Sequence, residues 1–121
     1  MIDYQAVRQH VIDYTRKLAD DGFLKGTGGN ISIRVPGADA LAITPSNQDY
    51  YAMQTDDICV YTLNGDKIAG DLKPSIEMGF HSAVYQVRPD VGCVMHTHQD
   101  FASAIALINK PIPALFDEQV R

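Results

Sequence analysis

The chain has 121 residues, 45% of them hydrophobic and 21% charged, with a formal net charge of −5 at pH 7. That length fits one domain and allows burial of roughly 65% of the unfolded surface, enough for a core without staples. The acidic balance and the lack of any Lys/Arg cluster argue against a nucleic-acid or anionic-membrane partner, and no run approaches the roughly 18 apolar residues of a membrane span.

The N-terminus, Met1-Ile2-Asp3-Tyr4-Gln5, lacks the basic-then-apolar pattern of a signal peptide. Tyr4, Val7, Val11, Tyr14, Thr15 and Leu18 recur at helical spacing. They predict an amphipathic helix over residues 3–20, capped by Asp3 and stopped at Asp21-Gly22. His10 on this helix reads as a surface or packing residue. The glycine-rich turn Lys25-Gly26-Thr27-Gly28-Gly29-Asn30 leads into a short alternating strand, Ile31 to Arg34. Pro36-Gly37 turns the chain into a second strand, Ala40 to Ile43, which ends in the loop Thr44-Pro45-Ser46-Asn47. A third strand runs from Ile58 to Tyr61, and Asn64-Gly65 is a strong hairpin signal leading to Lys67-Ile68-Ala69.

Lys73-Pro74-Ser75-Ile76-Glu77 opens a second helix, whose apolar stripe is Ile76, Phe80, Ala83, Val84 and Val87. Arg88-Pro89-Asp90 closes it, and a strand from Val91 to His96 follows. A third helix spans residues 100–109 until Lys110-Pro111-Ile112-Pro113 breaks it, and Ala114-Leu115-Phe116 reads as the start of another strand. The order predicts an α/β fold with helices packed on a largely antiparallel sheet. Cys59 and Cys93 lie in apolar runs and read as buried free thiols, which fits a reducing cytoplasm. Asp117-Glu118-Gln119-Val120-Arg121 carries neither a helix cap nor a polar tail, and the apolar segment before it points to further protein beyond.

The chemistry concentrates at Val94-Met95-His96-Thr97-His98. A strand sends alternate side chains to one face, so His96 and His98 project side by side, where two imidazoles can share a metal ion. The plainer reading is two half-buried histidines with no ion. Glu77, at the start of the second helix, is favoured there by the helix dipole alone. Facing the histidines, it could instead bind the metal or act as a general acid/base. His81, four residues on, reads as an orienting or surface partner. The three small polar loops at Thr27–Asn30, Thr44–Asn47 and Pro74-Ser75 are ordinary turns when taken singly. Converging, they would make an anion pocket suited to phosphate.

In order and spacing, Gly26-Thr27-Gly28-Gly29-Asn30-Ile31-Ser32, Thr44-Pro45-Ser46, Lys73-Pro74-Ser75-Ile76-Glu77, His81, Tyr85, Arg88-Pro89-Asp90 and His96-Thr97-His98 resemble the class II aldolase/adducin family, which includes fuculose-phosphate aldolase and ribulose-phosphate 4-epimerase. The resemblance covers almost the whole chain. It implies a three-layer α/β/α domain around a mostly antiparallel sheet, of which residues 1–121 would be the N-terminal part, assembled as a homotetramer. It also implies zinc or another divalent metal, held by His96, His98 and a third histidine further downstream.

Carried over, Glu77 is the catalytic acid/base and can also occupy the metal's open position. Thr27, Gly29, Asn30, Thr44, Ser46 and Ser75 then fall where relatives bind the substrate phosphate. The implied reaction is aldehyde-lyase cleavage of a ketose phosphate, or a related sugar or sugar acid, through a metal-stabilised enediolate. Epimerase or dehydratase chemistry on the same site and an adducin-like non-catalytic scaffold are the alternatives. Asn47 replaces the usual glycine and Ile76 a serine, which puts phosphate in question. No downstream histidine follows His98, as in a truncated or split family member.

Overall fold

The computed structural model describes residues 1–116. Helix α1 spans Tyr4–Asp20 and begins where the Asp3 side chain accepts from the Ala6 N–H at 3.0 Å. Strands β1 (Asn30–Arg34), β2 (Ala40–Ile43), β3 (Cys59–Thr62), β4 (Lys67–Ala69) and β5 (Cys93–His96) form one sheet in the order β4-β3-β2-β1-β5. Every pairing in it is antiparallel. A short 3₁₀ turn, Thr55–Asp57, precedes β3 and has no counterpart in the sequence reading. Helix α2 covers Met78–Val87 and helix α3 covers Asp100–Leu107. Among the described residues no helix is long and apolar enough to cross a membrane.

The sheet separates two cores because successive residues point to opposite faces. Ile31, Ala40, Ala42 and Val60 pack with Val7, Val11 and Ile12 of α1. On the other face Leu41, Ile43 and Cys59 pack with Tyr85 of α2. The result is the expected α/β/α layering. Tyr14 is half exposed, and Ile12 takes the inward place assigned to it in α1. Cys59 and Cys93 are free; burial pushes the Cys59 thiol up to about 11, which leaves it unreactive.

Helix α2 presents the opposite face from the one its apolar stripe predicts. Ile76, Phe80 and Val87 are 85%, 60% and 75% exposed, while His81, Ser82 and Tyr85 are buried. The cause lies across the gap. Ser32 of β1 points toward α2 and bonds both His81 and Tyr85, so a polar helix face meets a polar strand residue. Residues 114–116 form no strand. Pro111 and Pro113 each remove a backbone donor that a ladder would need. The reading of residues 117–121 falls outside the described residues.

Candidate active site

Two strand ends and a helix start meet at one cavity. In the β1–β5 ladder Asn30 stands directly opposite His96, at the first residue of one strand and the last of the other. The ladder stops there because β1 offers no partner beyond Asn30, so His98 lies in irregular backbone and not on the strand. The two imidazoles still come together, with ring centroids 4.8 Å apart and planes tilted by 59°.

Glu77 occupies the N-cap position of α2, yet its side chain makes no capping bond. Its Oε2 accepts from Asn30 Nδ2 at 2.7 Å and pairs with His96 Nδ1. The Asn30 amide N–H, with His96 adding to it and partial desolvation opposing, holds the Glu77 carboxyl below the ordinary carboxylate range. With Nδ1 donating to a carboxylate, the neutral His96 ring carries its lone pair on Nε2, the atom left for a metal.

Behind Asn30 lies a buried polar chain. His81 is fully enclosed, with Nε2 2.5 Å from Asn30 Oδ1 and Nδ1 2.7 Å from Ser32 Oγ. Ser32 Oγ lies 2.9 Å from the Tyr85 hydroxyl, which also donates to the Ser32 carbonyl. Burial drives the His81 pKa down to about 4; nearby Glu77 offsets this in part and His96 adds to it. Burial likewise pushes Tyr85 up to about 12.

The polar loops converge as a pair. Pro45 and Pro74 form an isolated bridge, flanked by Ser46 N–H to Lys73 O at 2.9 Å and Ser75 N–H to Thr44 O at 3.1 Å. This sets Ser46, Asn47, Ser75 and Ile76 along a cavity of about 190 Å³. Thr27, Gly29, Asn30, Glu77, His96 and His98 also line it. Thr44 does not. It is buried, and its hydroxyl bonds the Ile31 backbone, so it serves the fold beside the cavity.

Asn47 adopts φ +55°, the left-handed conformation that asparagine tolerates best among residues with a Cβ. Asparagine here therefore keeps a turn that glycine would also adopt, and adds a carboxamide to the cavity wall. Tyr50, which the sequence did not single out, donates its hydroxyl to Gly28 O at 2.7 Å and pins the glycine loop. Its only signal was an aromatic residue in a polar loop.

Gly29 has φ +84°, and a Cβ there would lie 2.6 Å from His96 O. Gly29→Ala is expected to cost at least about 2 kcal/mol, from the left-handed backbone plus the forced shift. Urea unfolding measures it, and a loss under about 0.5 kcal/mol, the scatter of neutral surface changes, would contradict the close approach.

Two imidazoles beside a hydrogen-bonded carboxylate suit a divalent cation as a partial ligand set. Among the described residues no group of three or more His, Cys, Asp or Glu is arranged to complete it.

Residues 9–121 match the class II aldolase and adducin N-terminal domain. The chain is 37% identical over 111 residues to 5-deoxy-D-ribulose 1-phosphate aldolase of Bacillus thuringiensis serovar kurstaki, covering 92% of this chain and 52% of that protein. It is 40% identical over 109 residues to the 5-methylthioribulose-1-phosphate/5-deoxyribulose-1-phosphate aldolase of Rhodospirillum rubrum, covering 90% and 48%. A solved L-fuculose 1-phosphate aldolase superposes with a TM-score of 0.87 at 35% identity, covering 93% of this chain and 53% of its own. The fold is that of the class II aldolases. The chain belongs to the class II aldolase/adducin family, and it spans about half the length of the curated relatives it matches.

Proposed function

We propose that this sequence carries the proton-transfer and anion-binding half of a divalent-metal-dependent aldehyde lyase acting on a ketose phosphate or a related sugar. The observation that supports it most is Glu77, held as a carboxylate between Asn30 and His96 on the cavity wall. In the condensation direction the Glu77 carboxylate takes the proton from the carbon beside the ketone carbonyl, leaving an enediolate. That carbon attacks the aldehyde, the new alkoxide takes a proton from water, and the hydroxide left takes the proton held by Glu77, which restores the carboxylate. Cleavage is the reverse, with Glu77 returning its proton to carbon.

A divalent cation, zinc by the family resemblance, held by His96 and His98 would supply Lewis-acid stabilisation of the charge developing on the substrate oxygens. The hydroxyls of Thr27, Ser46 and Ser75, the Gly29 backbone and the Asn30 amide would receive the phosphate. Thr44 supports this pocket from behind. The proposal places the protein in a reducing cytoplasm, as free Cys59 and Cys93 allow, and assembles it as a homotetramer.

The test is aldehyde release from a panel of ketose 1-phosphates and non-phosphorylated sugar acids, with zinc present and then removed by a chelator. Activity that is lost on chelation and restored by zinc supports the reading. No turnover of any substrate by zinc-loaded protein overturns it, and recovery of a stereoisomer in place of an aldehyde would assign epimerisation. His96→Ala is expected to weaken zinc binding, read by calorimetry, by more than the roughly 10- to 100-fold typical of outer-shell changes. An assembly-only module would bind no zinc in either form.

A further inference from the structure

We propose that His81 is a positioning residue that fixes which way the Asn30 carboxamide faces, and so keeps an N–H donor on Glu77. Its catalytic consequence rests on Glu77 being the proton carrier; the orientation itself does not. A carboxylate only accepts, so Asn30 must turn Nδ2 toward Glu77 Oε2, 2.7 Å away. Asn30 Oδ1 then faces His81 Nε2 at 2.5 Å. A carbonyl oxygen also only accepts, so Nε2 must carry the ring hydrogen.

On the other side of the neutral ring, Nδ1 accepts from Ser32 Oγ at 2.7 Å. The Tyr85 hydroxyl, 2.9 Å from both the Ser32 hydroxyl and the Ser32 carbonyl, has one hydrogen and gives it to the carbonyl, so the directed run begins at Ser32. The donors therefore run in one direction, Ser32 to His81 to Asn30 to Glu77. A flipped Asn30 would set Oδ1 against the carboxylate and an N–H against the ring N–H, and both contacts repel.

A space-filling role alone does not account for the residue chosen. The same helix leaves Phe80 and Val87 in solvent while turning His81 fully inward. Burying a polar ring is costly unless both nitrogens are satisfied, and here each has one partner in place.

The test begins on the unsubstituted protein with histidine ¹⁵N labelling and long-range proton–nitrogen correlation at neutral pH. His81 is expected as the Nε2–H tautomer, and an unprotonated Nε2 overturns the proposal even if no variant folds. Two substitutions follow. His81→Gln keeps an amide N–H able to reach Asn30 Oδ1, and His81→Leu removes it.

Hydrogen exchange at the Asn30 side-chain amide is expected to speed up at least about tenfold in His81→Leu, the loss of one buried hydrogen bond, and to stay near the original rate in His81→Gln. Turnover should fall about 10- to 100-fold in His81→Leu, with KM little changed, and recover in His81→Gln. Equal losses in both variants that track their unfolding midpoints would make His81 a packing residue and overturn the role. If the unsubstituted protein turns over no sugar phosphate, the proposed reaction fails, while tautomer and amide exchange still decide the orientation.

Discussion

Glu77→Gln is expected to lower turnover by about 10²- to 10⁴-fold, the range for a positioned general acid/base, while leaving the protein folded. The substitution keeps the shape and an oxygen that can still accept from Asn30 Nδ2, so the cavity wall survives. What disappears is the only carboxylate lining the cavity among the described residues, and an amide neither takes up nor releases a proton at any working pH. The side chain is about one-third exposed and caps nothing, so the unfolding midpoint should move little. Parallel kinetics and urea melts separate the two effects. Turnover within a factor of a few of the unsubstituted protein would remove Glu77 from the proton path.

Acidification is expected to destabilise the fold through His81, starting at a higher pH than the loss through Glu77. Burial lowers the folded-state pKa of this imidazole from 6.5 to about 4, so the unfolded chain binds the proton first. The contribution is fully present above pH 6.5 and is lost as the pH falls toward 4; below that both states are protonated. A shift of that size, at about 1.4 kcal/mol per pH unit, corresponds to about 3 kcal/mol. The groups facing the ring act in opposite senses, Glu77 favouring its charge and His96 opposing it.

Glu77, whose carboxyl lies below its ordinary 4.5, adds a second loss that begins only near and below that value. Urea unfolding across the range tests this, with His81→Gln as the control. The difference between the two proteins should shrink steadily below pH 6.5. A gap that stays constant with pH would mean that His81 is not buried as the neutral ring.

Where sequence period and burial agreed, the fold was legible. Val7, Val11 and Thr15 mark the inner face of α1, and Asn64-Gly65 marks the β3–β4 hairpin. The lining of the candidate site was legible as a set of loops and a histidine pair, because His96 and Glu77 stand at element ends where side chains reach a cavity. The inner face of α2 was not legible. Periodicity assigns inward positions by apolarity, and here the sheet selects a polar face because Ser32 needs partners. Hydrogen-bond pairing between segments 49 residues apart leaves no local trace. The inward turn of Thr44 was hidden for a related reason: a hydroxyl in a polar loop looks the same whether it faces a cavity or the backbone of the next strand. The left-handed turn at Asn47 also lies beyond composition, since asparagine is ordinary in many turn positions.

The bridge between Pro45 and Pro74 bears on how such a pocket changes over evolutionary time. Two backbone bonds between neighbouring residues hold the two loops together, and neither involves a side chain at positions 46, 47, 75 or 76. The Ser46 and Ile76 side chains are therefore hung on a frame that does not depend on them, whereas Ser75 Oγ accepts from the Glu77 N–H and Asn47 holds a left-handed turn. A serine can give way to isoleucine and a glycine to asparagine with the frame unchanged. The cavity wall can therefore change at positions 46 and 76 by single substitutions at little cost in stability, so lineages sharing this backbone can diverge in what the cavity accepts without passing through a misfolded intermediate.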